Sequence, residues 1–390
     1  MRKNLLELIV CPVCAGALSL ESFDAQSVSS ADETESGLLR CACGASYPII
    51  GGIPRLLPAD LQSMLWEMHP EFYSEHGKHL PEDALPQEVL SKNAGETDKA
   101  LTKQKETARS FGYEWQAFSE ILPEDYEKNF LWYFERFSPA DFRGKRVLDA
   151  GCGTGRHTYY VSKTAREVIA MDLSQAIEVA ARNNRAHTNA HFVQADIYRP
   201  PFRPGTFDFI YSLGVLHHLP EPEKGFRSLL KLLRKGGFMN IYLYWNLEGE
   251  AAWRRALLGV VTAARRVTTR MPHNLLKKVS WLIAAGFEVA FVTPARVLGR
   301  FSSTSGLADR VPLGHYRKYS FRVLHTDQFD RFSAPIENRY SSAEVAEWFE
   351  RAGLVDVKIL GGQGWRASGR SAGRETKAAQ SVEEEEQVVS

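Results

Sequence analysis

Arg146-Val-Leu-Asp-Ala-Gly-Cys-Gly-Thr-Gly-Arg156 holds an acidic residue at the end of an apolar run, then glycines at 151, 153 and 155. An apolar strand that ends in a carboxylate and enters a glycine turn before a helix binds adenosine-containing cofactors. Backbone N–H groups approach the ligand where no side chain obstructs them. A dinucleotide fingerprint requires its third glycine one residue later, where this chain has Arg156. The spacing therefore points away from a nicotinamide cofactor and towards S-adenosylmethionine. Two further acids follow at intervals: Asp172 in VIAMDLS and Asp196 in FVQADI. Asp172 is placed to accept from both ribose hydroxyls, and Asp196 from the adenine amino group, with the Ile197 amide reading the ring nitrogen. Asp149, Gly151, Gly153, Gly155, Asp172, Leu173, Asp196, Ile197, Ser212 and Leu213 form the candidate cofactor set.

A second constellation is Cys11-Pro-Val-Cys14 and Cys41-Ala-Cys43, separated by 26 residues. Two close cysteine pairs flanking such a loop suit tetrahedral thiolate coordination of structural zinc. The second pair is C-x-C rather than the commoner C-x-x-C. A segment of under 60 residues has little core, so a metal would help it fold. The fifth cysteine, Cys152, lies in the glycine turn. This usage predicts a reducing, cytoplasmic setting rather than a disulfide framework.

Transfer to oxygen or nitrogen often needs a base. His217 and His218, after the fourth apolar strand, are candidates, although a histidine there also serves as a cap or pocket wall. Asp327 and Asp330 are placed to orient hydroxyl or amine groups; the commoner fate of such residues is a solvated loop.

The elements that position these residues alternate as in a parallel α/β sheet. Strands are expected at 145–150, 167–172, 190–195, 207–212 and 237–244, with helices near 155–164, 174–186 and 222–235. Ser341 and Glu344 have capping-box spacing for a last core helix. Aromatic residues crowd 107–115, where they would cover the methionine end of the cofactor or simply pack helices.

The 390 residues are 44% hydrophobic and 24% charged, with a net charge of +1, so no global charge favours nucleic acid or membrane. Charge is local instead. From Trp253 to Arg300 there are nine basic residues and one acid, Glu288, interleaved with apolar residues at helical spacing. That pattern predicts a helical lid, or a surface for membrane headgroups, an anionic substrate or RNA. The apolar content favours a greasy or lipid-linked acceptor, and membrane-peripheral contact through 253–300, over RNA. Neither a signal peptide nor a membrane span is expected.

The stretch from Phe207 to Tyr244, with the three acids, resembles class I S-adenosylmethionine-dependent methyltransferases of the ubiquinone/menaquinone-biosynthesis-like, type 11 group. That resemblance implies a Rossmann-like seven-stranded sheet with helices on both faces. Residues 7–58, ending in Tyr47-Pro-Ile and Gly52-Ile-Pro54, resemble the zinc-ribbon activator subunits of methyltransferases acting on tRNA, rRNA and release factors. The expected organisation is a zinc ribbon at 1–58, a linker at 59–105 and a methyltransferase domain at 106–366 with a helical insertion at 246–320. A disordered tail is expected at 367–390. The reading is a methyltransferase acting on a small-molecule acceptor that is anionic, lipid-linked, quinone-like or a glycan. Its rivals are an rRNA or tRNA methyltransferase and a non-catalytic cofactor-binding scaffold. Oligomeric state and acceptor atom are not legible in the sequence.

Overall fold

The computed structural model describes residues 1–24, 33–81, 99–121, 123–301, 305–308 and 310–372. Four short strands come first: β1 (Leu18–Ser22), β2 (Gly37–Cys41), β3 (Ser46–Ile50) and β4 (Ile53–Leu56). Seven more follow: β5 (Arg146–Ala150), β6 (Glu167–Asp172), β7 (Ala190–Ala195), β8 (Phe207–Leu213), β9 (Leu233–Leu243), β10 (Leu354–Leu360) and β11 (Trp365–Ser371). They form one sheet in the order β1-β2-β3-β4-β7-β6-β5-β8-β9-β11-β10.

The expected seven-stranded sheet is corrected to eleven strands. β5 to β11 make the seven, and the amino-terminal strands extend them because β4 pairs in parallel with the edge strand β7, Arg55 opposite Gln194 and Leu56 opposite Ala195. An edge strand presents unpaired backbone donors and acceptors, and here another part of the same chain covers them. The core is continuous across the junction. Leu39, Tyr47, Ile49 and Leu56 pack in one buried cluster with Ile169, Met171, Val193 and Ala195.

The central strands are buried on both faces and so read as unbroken apolar runs, as parallel strands do. Helices cover both sides. Among the described residues they are α1 (Ala59–Met68), α2 (Pro70–His76), α3 (Lys99–Ala117), α4 (Pro123–Tyr133), α5 (Arg156–Val161), α6 (Ala176–Asn183) and α7 (Pro222–Leu230). Then come α8 (Ala252–Thr268), α9 (His273–Phe287), α10 (Thr293–Leu298), α11 (Ser305–Ala308), α12 (Phe321–Ser333) and α13 (Ser342–Arg351). In α13 the capping box is formed as its spacing predicts: Glu344 N donates to Ser341 Oγ at 3.2 Å and Ser341 N to Glu344 Oε2 at 2.7 Å.

Two expectations shift. Leu61, Met64, Leu65, Phe72 and Tyr73, within the expected linker 59–105, bury a core of their own with Leu38 and Ala108. The tail cannot begin at 367, because β11 runs to Ser371 and pairs with β9 from Trp365 to Arg370. The rest of that tail, from 373, lies outside the described residues. Among the described residues no helix is long and apolar enough to cross a membrane.

Candidate cofactor and acceptor site

One cavity of about 470 Å³ opens at the carboxyl ends of β5, β6 and β8, where open α/β sheets bind ligands. Gly151, Gly153, Asp172, Leu173, Asp196, Ile197 and Leu213 line it. The glycines are required by geometry. Gly151 has φ +84°, and a Cβ there would lie 2.4 Å from Val215 Cγ2; at Gly153 it would lie 3.1 Å from Trp115 Nε1. Asp172 fixes the turn from below: its Oδ2 accepts from Gly153 N at 2.9 Å, and Oδ1 accepts from Ser174 N and Oγ at 2.8 and 2.7 Å. A carboxylate offers about four lone-pair sites, so capacity remains. Burial pushes Asp172 above the ordinary carboxylate range, and these hydrogen bonds oppose it. Asp196 is almost fully buried; its Oδ1 accepts from Gln104 Nε2 at 2.9 Å and Tyr198 N at 3.0 Å, while Arg199 lies 3.6 Å from Oδ2. A glycine cradle that leaves little space for Cβ atoms, bordered by the half-buried Asp172 and the buried Asp196, fits a neutral adenosine bearing hydroxyl and amino donors.

Three members of the expected cofactor set do not line the cavity. Asp149 is the penultimate residue of β5, 3% exposed, and its Oδ2 accepts from Thr158 Oγ1 at 2.6 Å and Tyr211 OH at 2.9 Å. Burial pushes its pKa up to about 7 against those two bonds. It ties the sheet to α5 and supports the turn from behind. Ser212 Oγ donates to Ala150 O at 2.8 Å, again behind the turn. Gly155, at φ +73°, starts α5, and a Cβ there would meet Ala180 at 3.0 Å.

The two histidines separate. His217 is fully buried, stacks on Tyr244 with ring centroids 3.8 Å apart, and does not line the cavity. His218 does line it, and its Nδ1 is 2.6 Å from Ile336 O. A carbonyl only accepts, so Nδ1 carries the proton and Nε2 is left as the acceptor atom. Burial pushes His218 below its usual pKa, keeping the ring neutral.

Asp327 and Asp330 are not on a loop: both lie on α12 and face the same cavity. Asp327 Oδ2 accepts from Tyr316 OH at 2.6 Å, and Asp330 Oδ2 from Tyr244 OH at 2.9 Å. Aromatic residues Trp115, Tyr126, Trp132, Tyr133 and Tyr242 make up much of the remaining wall. Among the cavity residues that sequence reasoning did not single out are Gln104, Glu114 and Arg156. The first two share a stripe of α3 with Thr107, Ala108, Phe111 and Trp115, a 3.6-residue periodicity that was available to find them. The aromatic segment 107–115 is therefore a wall of the cavity.

The four cysteines Cys11, Cys14, Cys41 and Cys43 come together, with all Sγ atoms within 4.8 Å of one another. Cys11 and Cys43 are 3.8 Å apart, and Cys14 and Cys41 3.4 Å. Zinc bound at about 2.3 Å places tetrahedral sulfurs roughly 3.8 Å apart, so the donor set fits. Tyr47 OH, 3.1 Å from Cys11 Sγ, is a second-layer donor to that sulfur.

A family model described as a methyltransferase domain matches residues 148–241. The ubiquinone biosynthesis O-methyltransferase of Xanthomonas campestris pv. campestris (strain B100) is 32% identical over 177 residues, which cover 41% of this chain and 72% of that protein. An uncharacterized protein of Synechococcus sp. is 27% identical over 229 residues, or 57% of this chain; the chain spans half of that relative's length. A solved S-adenosylmethionine-dependent methyltransferase from Aquifex aeolicus is 15% identical with a TM-score of 0.34, covering 64% of this chain and 98% of that one. The chain belongs to the class I S-adenosylmethionine-dependent methyltransferase family.

Proposed function

We propose that this chain transfers the methyl group of S-adenosylmethionine to a ring-bearing or lipid-linked small molecule, with an oxygen or nitrogen atom as acceptor. The observation that carries the reading is a single cavity lined both by Gly151, Gly153, Asp172 and Asp196 and by aromatic residues and carboxylates of α3, α4 and α12. S-adenosylmethionine supplies an already activated methyl; the chain's own contribution is alignment and exclusion of water. Trp132, Tyr133 and Tyr242 offer flat apolar faces to an acceptor ring, and His218 Nε2 is a neutral acceptor for its proton. The similarity to a ubiquinone biosynthesis O-methyltransferase supports a quinone-like ring over an RNA base. Zinc held by the four cysteines is structural in this reading, since four protein sulfurs leave no open position.

The insertion bears on delivery of the acceptor. Leu257, Val260, Val267, Leu282 and Val289 are exposed beside exposed Arg254, Arg255, Arg266, Arg270 and Lys278. In α8 the buried side chain among those described is Arg265, which pairs with Glu337 and donates to Ala334 O at 2.6 Å. Exposed apolar and cationic groups along this segment match an anionic bilayer interface, from which a lipid-linked acceptor would arrive.

Calorimetric titration with S-adenosylhomocysteine tests the donor half. Binding is expected for the native chain, and Asp172→Asn should weaken it about tenfold or more, because the charge-assisted acceptor is lost while shape and fold persist. A native chain that binds neither S-adenosylmethionine nor its demethylated product would refute the reading.

A further inference from the structure

Glu114 lies on α3 and is fully buried, yet it lines the cavity, and neither of its carboxylate oxygens has a hydrogen-bond partner among the described residues. A buried carboxylate without donors forfeits its solvation with nothing in return, so this position calls for a partner. Asp330 repeats the pattern on the facing helix: Oδ2 takes Tyr244 OH, and Oδ1 is buried without a partner among the described residues. The two helices are joined near this point, since Ser110 Oγ of α3 donates to Ser333 O of α12 at 3.1 Å.

Position along α3 says which end of the cavity these oxygens serve. Gln104 reaches Asp196, and ten residues later, roughly 15 Å along the axis, Glu114 precedes Trp115, whose indole closes over Gly153. If Asp196 marks the adenine end, Glu114 stands at the opposite end. No cation among the described residues hydrogen-bonds Glu114, although the Arg156 charge acts on it. Arg339 is held by Glu337 at 2.7 Å and by Trp245 O at 2.9 Å, and Arg156 lies over the Trp115 and Tyr126 rings. Burial, reinforced by Asp330 and Asp327 and opposed by Arg156, pushes the Glu114 carboxyl well above its ordinary range.

We infer that Glu114 and Asp330 form the acceptor-binding clamp beside the transferred methyl, and that the acceptor presents O–H or N–H donors to them rather than an anionic group. This rests on the methyltransferase reading and narrows its substrate class: a polyhydroxylated or catechol-like ring, or an amine, satisfies both carboxylates. A phosphate or carboxylate at the reacting end supplies no such donor and leaves Glu114 and Asp330 Oδ1 unpartnered.

Sinefungin provides a probe that needs no knowledge of the acceptor, because an amine-bearing carbon replaces the methylated sulfonium and projects a cationic donor where the methyl would lie. Its dissociation constant is compared with that of S-adenosylhomocysteine, which lacks that group. Native protein should favour sinefungin by about tenfold or more, the scale of one charge-assisted hydrogen bond. Glu114→Gln should erase most of that preference while S-adenosylhomocysteine affinity changes by less than about twofold. Asp330→Asn reads the same ratio through the other carboxylate and serves if the first variant fails to fold. Equal affinity of native protein for the two ligands, or an unchanged ratio in the folded variant, overturns the clamp alone. Failure of native protein to bind either ligand overturns the methyltransferase reading, and the clamp with it.

Discussion

Arg55 Nη1 in β4 donates to Gln194 Oε1 in β7 at 2.9 Å, and the same amide donates through Nε2 to Leu173 O, also at 2.9 Å. Leu173 follows Asp172, so two hydrogen bonds connect the amino-terminal strands to the end of the strand that carries Asp172. Arg55 is 1% exposed and also reaches Glu178 at 3.2 Å and Ile50 O at 3.0 Å. Removing one partner of a buried charged network leaves the others unsatisfied. Arg55→Ala should therefore destabilise the whole chain by about 3 kcal/mol in denaturant unfolding. Transitions followed by tryptophan fluorescence and by far-UV circular dichroism should stay superimposed. Two separated transitions would show that the amino-terminal strands unfold independently of the sheet.

The metal prediction follows from the same continuity. Cys14 is exposed, so Cys14→Ser removes a ligand at little packing cost. Chain purified without chelator should carry close to one zinc. The variant should carry much less, and its melting temperature should fall by several degrees, because binding free energy at a structural site is folding free energy. Metal content below about half an equivalent in the native chain, or an unchanged melting point in the variant, would remove zinc from the account.

How much of this was legible in the sequence depends on whether a feature is local. The strands at β5, β6, β7 and β8 lie within a residue of their expected bounds, because each is a short, largely apolar run buried on both faces. The capping box at Ser341 was likewise readable from a four-residue spacing. The pairing of β4 with β7 was not, since nothing in Ile53–Leu56 names a partner some 140 residues away. Asp149 carries the type and spacing of a cofactor ligand, but only tertiary placement reveals that its oxygen is taken by Thr158 and Tyr211. For Asp327 and Asp330 the sequence leaves a substrate-orienting role and the commoner solvated loop both open; helix α12 forms because its buried face packs against α9 and the cavity.

Asp149 gives a pH test. Its folded pKa, about 7, lies above the unfolded value near 3.9, so between those values the folded state holds a proton the unfolded chain has lost. The stability it contributes is complete below the unfolded value and is lost as pH rises through about 7. Integrated over roughly three units, the difference is at most about 4 kcal/mol. Asp149→Asn keeps the size and removes the titration. The stability of native protein relative to the variant should therefore decline from pH 5 to pH 8 and level off above. A native-minus-variant difference that is flat across this range would show that the carboxylate is not held protonated.

The surface of α8, α9 and the turn Glu288–Val292 that follows gives a test independent of catalysis. Leu282 and Val289 are 65% and 75% exposed, and Val260 on α8 is 64% exposed. Cations on the same segment should each contribute about 1 kcal/mol near an anionic bilayer. The native chain should co-sediment with phosphatidylglycerol-containing vesicles at low ionic strength, less so in high salt, and little with purely zwitterionic ones. Arg266→Gln combined with Arg270→Gln should weaken partitioning roughly thirtyfold, the equivalent of about 2 kcal/mol. Leu282→Glu with Val289→Glu should abolish it, while S-adenosylhomocysteine affinity stays unchanged because neither residue lines the cavity. Vesicle binding that survives both double substitutions would place the contact elsewhere, and absence of binding by the native chain would leave these helices as a lid over the acceptor.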